Sequence, residues 1–373
     1  MKTPSFLFKP FALRQVGFAN RVMVSPMAQY SAVEGVAQPW HVQHLGSLAV
    51  SGPGLVSTES TSVERPGYGS RSALALHTDE QEAGLRRVLT DIRSFSQTPI
   101  GIQLGHSGRK ASCMDPTQGR RPLRPDEGGW PVHSPSAIPY GEGWPVPVEI
   151  DGAGLKRIRA AFAGAAQRAA RLPLQSIELH GAHGYLLHSF LSPITNQRSD
   201  AYGGNLAART RFVAEVVEAV RREWPADRVL GIRLNAHDWV AGGLTIEDTI
   251  AIVHTLKAAG CDYVCISAGA IDGRARIPAA PGYLVPHASR VRKETGVVTF
   301  VTGLIVRPEQ AEEIVAERHA DMVVLARAFL DDPRWVWHAA EALGVKLDYP
   351  MQYQLASPDA WAGAKLRDTA TAV

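Results

Sequence analysis

Eight short apolar runs, spread over most of the chain and separated by helix-like sequence, constrain this protein more than any other feature. They fall at residues 22–25, 54–59, 100–104, 175–179, 229–234, 263–267, 297–302 and 322–325. Val, Ile and Leu dominate them without strict alternation, as in parallel strands buried on both faces. The segments between them read as helices. Residues 155–170 are Ala-rich with Arg and Lys along them, and residues 209–224 place Phe212, Val216, Val217 and Val220 at helical spacing. Thr245 and Asp248 make a capping-box pattern, with Asp in place of Glu, ahead of residues 250–256. Pro308 predicts a helix start before residues 309–315. Eight β-α units imply class α/β and a (β/α)8 TIM barrel. A doubly wound sheet is the alternative and usually carries fewer strands.

Composition narrows the function classes. The chain has 373 residues, 45% of them hydrophobic, enough for a sizeable core in one barrel. Lys and Arg number 39 against 36 Asp and Glu, a net charge of +3, and no basic stripe suggests a nucleic-acid surface. The three cysteines, Cys113, Cys261 and Cys265, are odd in number, and two sit in an apolar run. They read as buried thiols rather than a disulfide framework. No apolar leader or membrane-length run is found, so a cytoplasmic protein without membrane partners is expected. The expected organisation is a single barrel over residues 1–355, an insertion at 112–150 and an Ala-rich tail at 356–373.

The insertion is Pro/Gly-rich and longer than ordinary connections. It carries Arg120, Arg121 and Arg124 together with Trp130, Tyr140 and Trp144. Three readings are open: a lid over the catalytic face, a basic contact for a large anionic substrate such as an acyl-CoA, or a solvated loop packed by its own aromatics.

Polar residues converge where a barrel keeps its active site, at the C-terminal ends of the strands. The stretch ELHGAHGYLLHSF (residues 178–190) puts Glu178, His180 and His183 at the end of the fourth strand. Gln103 and His106 follow the third, Arg233 and Asn235 the fifth, and Gly269 and Gly303 the sixth and seventh. A metal held by Glu178, His180 and His183 is one reading, but there is no HExxH helix and no cysteine pair at ligand spacing. Strand-end histidines with local hydrogen bonds are another. There is no GxGxxG fingerprint and no P-loop. The loops after strands seven and eight, with Gly303, Ala326 and Arg327, are where barrels hold phosphate.

These motifs resemble the Old Yellow Enzyme family of FMN-dependent ene-reductases, in particular its bacterial xenobiotic-reductase-like branch. The likeness runs nearly end to end: RVMVSPMAQY (21–30), IQLGHSGRKAS (102–112), ELHGAHGYLLHSFLSPITNQRSDAYGGNLAARTRF (178–212), GIRLN (231–235), Gly303 and VLARAFLDDP (324–333). It implies that Ser25, Pro26, Met27 and Ala28 line FMN. Gln103 would bond the flavin's pyrimidine edge, Arg233 would lie near its N1 side, and Gly303, Ala326 and Arg327 would hold its phosphate. His180 and His183 would bind the substrate's activating oxygen, Tyr185 would protonate the α-carbon, and Tyr30 would touch substrate. NADPH or NADH would be the electron donor, an activated alkene the substrate, and a homodimer or homotetramer the assembly. Nitro compounds, nitrate esters or an aromatic or acyl-CoA intermediate are alternative substrates. A non-catalytic flavin- or ligand-binding barrel is the alternative of another class. His188 is expected to be structural, and residues 200–204 to form a turn braced by Asn205 and Arg209.

The sequence departs from the branch at three places. Ala28 stands where relatives have a cysteine beside the flavin, so an altered flavin potential is expected. Relatives with a terminal arginine complete a neighbour's site with it, whereas this chain runs Met351-Gln352-Tyr353-Gln354-Leu355 into the Ala-rich tail, with Arg367 unaligned. His77 replaces a tryptophan and is expected at the pocket rim.

Overall fold

A computed structural model describes residues 5–119 and 121–364. Eight parallel strands close into a barrel: β1 (Val22–Val24), β2 (Leu55–Ser62), β3 (Ile100–Gly105), β4 (Ser176–Gly181), β5 (Val229–Asn235), β6 (Tyr263–Ser267), β7 (Val298–Val301) and β8 (Met322–Leu325). β8 pairs with β1 in register Val323↔Val22 through Leu325↔Val24, which seals the ring. All eight predicted runs are strands. Four end later than expected, β3 and β5 by one residue and β2 and β4 by more. β2 passes through an irregularity between Ser57 and Ser60 and runs on to Ser62. β4 includes His180.

Helices cover the barrel because their apolar faces match its outer surface. They include α1 (Pro39–Val50), α2 (Asp79–Arg93), α3 (Gly152–Ala170), α4 (Leu186–Leu191), α5 (Leu206–Glu223), α6 (Ile246–Ala258), α7 (Val285–Thr295) and α8 (Pro308–Ala316). On α5, Phe212, Val216, Val217 and Val220 are all buried, as their spacing predicted. Each such side chain contributes about 1.5–3 kcal/mol by leaving water. Thr245 caps α6, with Asp248 returning the capping-box bond. Asn205 caps α5, and Arg209 bonds the Leu191 and Gly204 carbonyls, bracing the turn before the helix.

Two apolar cores result. The larger lies between strands and helices. The smaller joins Met23, Leu55, Val229, Tyr263, Cys265, Phe300 and Met322 to Val16 and Phe18 of an N-terminal hairpin. Cys113, Cys261 and Cys265 are buried free thiols, and burial pushes Cys265 up to about 12. Among the described residues no helix is long and apolar enough to cross a membrane.

Candidate active site at the barrel mouth

A buried polar layer ties four strands together. Glu178 on β4 accepts from Arg233 Nε at 2.9 Å, from Gln103 Nε2 at 2.7 Å and from Tyr263 Oη at 3.3 Å. Arg233 Nη1 donates to Ser25 Oγ at 3.0 Å. Glu178 therefore neutralises a guanidinium cut off from water, and stripping a buried charge of its partner costs about 3–5 kcal/mol. Its role is to hold Gln103 and Arg233, which sequence spacing alone did not reveal.

His180 ends β4, and the next turn carries His183 and Tyr185. His183 and Gly184 have φ of 62° and 73°, so the chain doubles back at once into α4. Asn235 Oδ1 accepts the His183 amide at 3.1 Å. The turn brings three rings together at nearly right angles. His180 lies 4.9 Å from His183 and 4.7 Å from Tyr185, centroid to centroid. Burial holds both imidazoles well below the usual histidine range, helped by Arg233 and Lys110 and, for His183, by His180. They are neutral rings that present N–H groups. Ser267 Oγ lies 2.8 Å from His183 Nε2 and fixes the orientation of that ring. His180 Nδ1 is buried and has no hydrogen-bond partner among the described residues.

His188 is structural. It is fully buried, its Nδ1 accepts from the Gly184 amide at 2.9 Å, and its Nε2 lies 2.9 Å from Asp238 Oδ1. Burial alone would raise Asp238, but His188, Ser192 and the Leu244 amide outweigh it and lower it. The pair fastens the turn that carries His183 and Tyr185.

Three cavities flank this turn. One, of about 360 Å³, gathers Ser25, Pro26, His183, Arg233, Ser267, Gly303, Ala326 and Arg327. It therefore joins three of the residues expected to contact FMN, Ser25, Pro26 and Arg233, with all those expected to hold its phosphate, while Met27, Ala28, Gln103 and His180 are not in its lining. Gly303 has φ +114°, and a Cβ there would press on Leu284 at 3.2 Å. Arg233 Nη2 is buried without a partner among the described residues, a charged donor beside this cavity that fits an acceptor edge of a flavin. The donor set fits FMN: hydroxyl and guanidinium groups at one end, glycine and arginine at the other.

The second cavity, about 80 Å³, is lined by Ala28, Tyr30, Ser60, Lys110, Trp144 and Tyr185, among others. The third, about 410 Å³, is bounded by Lys110, Tyr140, Trp144, His183 and Tyr185 with residues 268–270. Met27 packs against the main core instead of lining any of the three. Gln103 Nε2 donates to Glu178, and Gln103 is not among the lining residues of the three cavities. His77 bonds Tyr68 Oη at 3.0 Å and lines none of these three cavities.

The insertion contributes in two ways. Tyr140 and Trp144 meet edge to face at 4.8 Å beside Tyr185. Arg121 and Arg124 are paired with Glu127 and Asp126 in their own loop, which leaves them little charge for an anionic substrate. Arg120 lies outside the described residues. Arg109, which sequence reading passed over, is 1% exposed and ties the loops together. It donates to Ile138 and Pro139 carbonyls at 3.1 and 2.9 Å and to the Ile271 carbonyl at 2.6 Å.

Comparison with known proteins agrees with this geometry. The family described as NADH:flavin oxidoreductase / NADH oxidase matches residues 6–345. An NADPH dehydrogenase of Geobacillus thermodenitrificans is 38% identical over 93% of this chain and 97% of its own length. One from Listeria monocytogenes is 39% identical over 94% and 99%. Among solved structures, a 2-naphthoyl-CoA reductase complex superposes with TM-score 0.82 at 23% identity, over 92% of this chain and 53% of that one. Morphinone reductase does so with TM-score 0.77 at 24% identity, over 94% and 93%. The two structures share the fold.

Proposed function

The chain belongs to the NADH:flavin oxidoreductase / NADH oxidase family, the Old Yellow Enzymes, and is an FMN-dependent NAD(P)H oxidoreductase; we propose that it reduces activated alkenes, α,β-unsaturated carbonyl or nitro compounds. The observation that carries this reading is the right-angled cluster of two neutral histidines and a tyrosine beside the Arg233 cavity. FMN held here and reduced by the nicotinamide would supply hydride chemistry at the alkene's β-carbon. Negative charge then gathers on the substrate's carbonyl or nitro oxygen. His180 and His183 donate hydrogen bonds to that oxygen, and because the rings are preorganised they stabilise it most as the charge forms. Tyr185 gives its phenolic proton to the α-carbon. Ser267 Oγ, 2.8 Å from His183 Nε2, keeps that ring in place. Tyr30, 40% exposed, and Ala28 sit at the outer wall, where the rest of the substrate lies. Ser25, Pro26 and Arg233 would hold the flavin ring, and Gly303, Ala326 and Arg327 its phosphate.

The test is a visible spectrum recorded anaerobically while NADPH and then 2-cyclohexenone are added. Bleaching followed by return of the flavin band supports the proposal. Bleaching with no return on any enone or nitroalkene defeats it.

A further inference from the structure

We propose that Lys110 is a positioning residue for Tyr185, and that its ammonium steadies the phenol and favours the phenolate left when the proton departs. This rests on the reading of Tyr185 as the proton donor. Lys110 Nζ lies 5.0 Å from the centroid of the Tyr185 ring and 4.6 Å from that of Tyr140, over the faces of both. It is held there by the His183 carbonyl at 2.7 Å and the Ala270 carbonyl at 3.5 Å. One side chain thus bridges the turn after β4, the loop after β6 and the insertion.

The placement is fixed by backbone packing. The Leu186 amide donates to the His106 carbonyl at 3.0 Å, joining the Lys110 loop to the Tyr185 turn. Gly108 has φ +58°, and a Cβ there would sit 3.0 Å from Leu186 Cα, so the two segments touch. His106 locks this loop: its Nδ1 accepts the Gly108 amide at 3.0 Å and its Nε2 meets Glu64 at 3.0 Å. Arg109, beside Lys110, anchors the same loop to Ile271.

The charges around Tyr185 leave this task to the lysine. His180 and His183 face it as neutral rings. Arg233 is balanced by Glu178 at 2.9 Å. Glu59 lines the neighbouring cavity but is engaged by His41 at 3.2 Å. Asp272 is engaged by Arg274 at 2.6 Å, and Arg109 reaches Tyr140 only at 5.8 Å. Tyr140 shares the ammonium. A phenol is a weak acid, with a pKa of about 10. A cation about 4–6 Å away lowers an acid by roughly 1–3 units, and a cation over an aromatic face binds the electron-rich phenolate better than the phenol.

The holoenzyme labelled with 13Cζ-tyrosine reports the Tyr185 phenol directly by NMR titration, with Tyr185→Phe assigning the resonance. Lys110→Met is expected to raise the apparent phenol pKa by about one unit or more, with Lys110→Arg restoring it. The alkaline limb of the alkene-reduction pH profile should move the same way. Lys110→Gln keeps a donor for the His183 carbonyl and decides the matter if the Met variant loses flavin. An unshifted phenol in flavin-retaining Met or Gln variants overturns the inference, and a KM change confined to carboxylate-bearing substrates would then assign the lysine to substrate. A shifted phenol in an enzyme that reduces no alkene preserves the lysine–tyrosine coupling and removes the proton-donor role instead.

Discussion

The cavity around Arg233 and Arg327 and the two cavities around Tyr185 share a rim yet are built from different parts. The first is made mainly by the barrel: the ends of β1 and β5 to β8, a glycine at positive φ and a guanidinium balanced from within by Glu178, with His183 from the turn after β4 and Tyr283 from the loop after β6 in its wall. The others are made by loops. The segments after β3 and β4 and the insertion supply Lys110, Tyr185, Tyr140 and Trp144, and Arg109 and His188 hold those loops still. On the proposed function, cofactor retention depends on the barrel's internal charge balance, while turnover depends on how loops present a few rings. Damage to the first region should cost flavin and stability; damage to the second should cost rate with the flavin in place.

The largest effect is expected from Glu178→Gln, which leaves Arg233 buried without its counter-charge. It should destabilise the fold by about 3–5 kcal/mol and lower flavin content, read by urea unfolding and by the flavin-to-protein absorbance ratio. Normal flavin content and stability would erase the contrast between the regions. Tyr185→Phe should slow alkene reduction by roughly 10²–10⁴-fold, and His183→Ala by roughly 10²–10³-fold. Both should retain flavin and unfold like the wild type.

A smaller effect concerns pH. His180 and His183 have folded-state pKa values well below 6.5, so alkene reduction should stay level as pH falls through 6.5. The same shift acts on stability. Below the unfolded-state value of about 6.5 the unfolded chain takes up protons that the folded rings refuse. Their contribution is thus intact above that pH and declines as pH falls toward the folded values. A rate profile breaking near 6.5 would show that the rings are charged in the working enzyme. The smallest effect is expected at Ala28: Ala28→Cys should shift the flavin potential and ligand binding measurably, and no change in either would show that the position does not tune the flavin here.

The barrel was legible because parallel strands buried on both faces leave nearly continuous Val/Ile/Leu runs, and because caps such as Thr245 mark helix starts. The 180–185 cluster was legible as a motif. What escaped were contacts between distant segments. Glu178 gave no sign that it would meet Arg233 across β4 and β5, and Ser267 gave none that it would meet His183. Arg109 and Lys110 lay in a recognised motif, yet their partners are carbonyls of loops some 30 to 160 residues away along the chain. α1 and α2 went unread although Thr78 and Gln81 form a capping box at the start of α2. The largest error in a strand's end is at β2, where an irregularity between Ser57 and Ser60 intervenes.

The division of labour between the two regions is tested most directly by single-turnover kinetics of Tyr185→Phe. The enzyme is first reduced anaerobically with NADPH and then mixed with 2-cyclohexenone. Reduction near the wild-type rate followed by reoxidation at least about 10²-fold slower is the expected result. Reoxidation at the wild-type rate would contradict it and take the proton transfer away from this tyrosine.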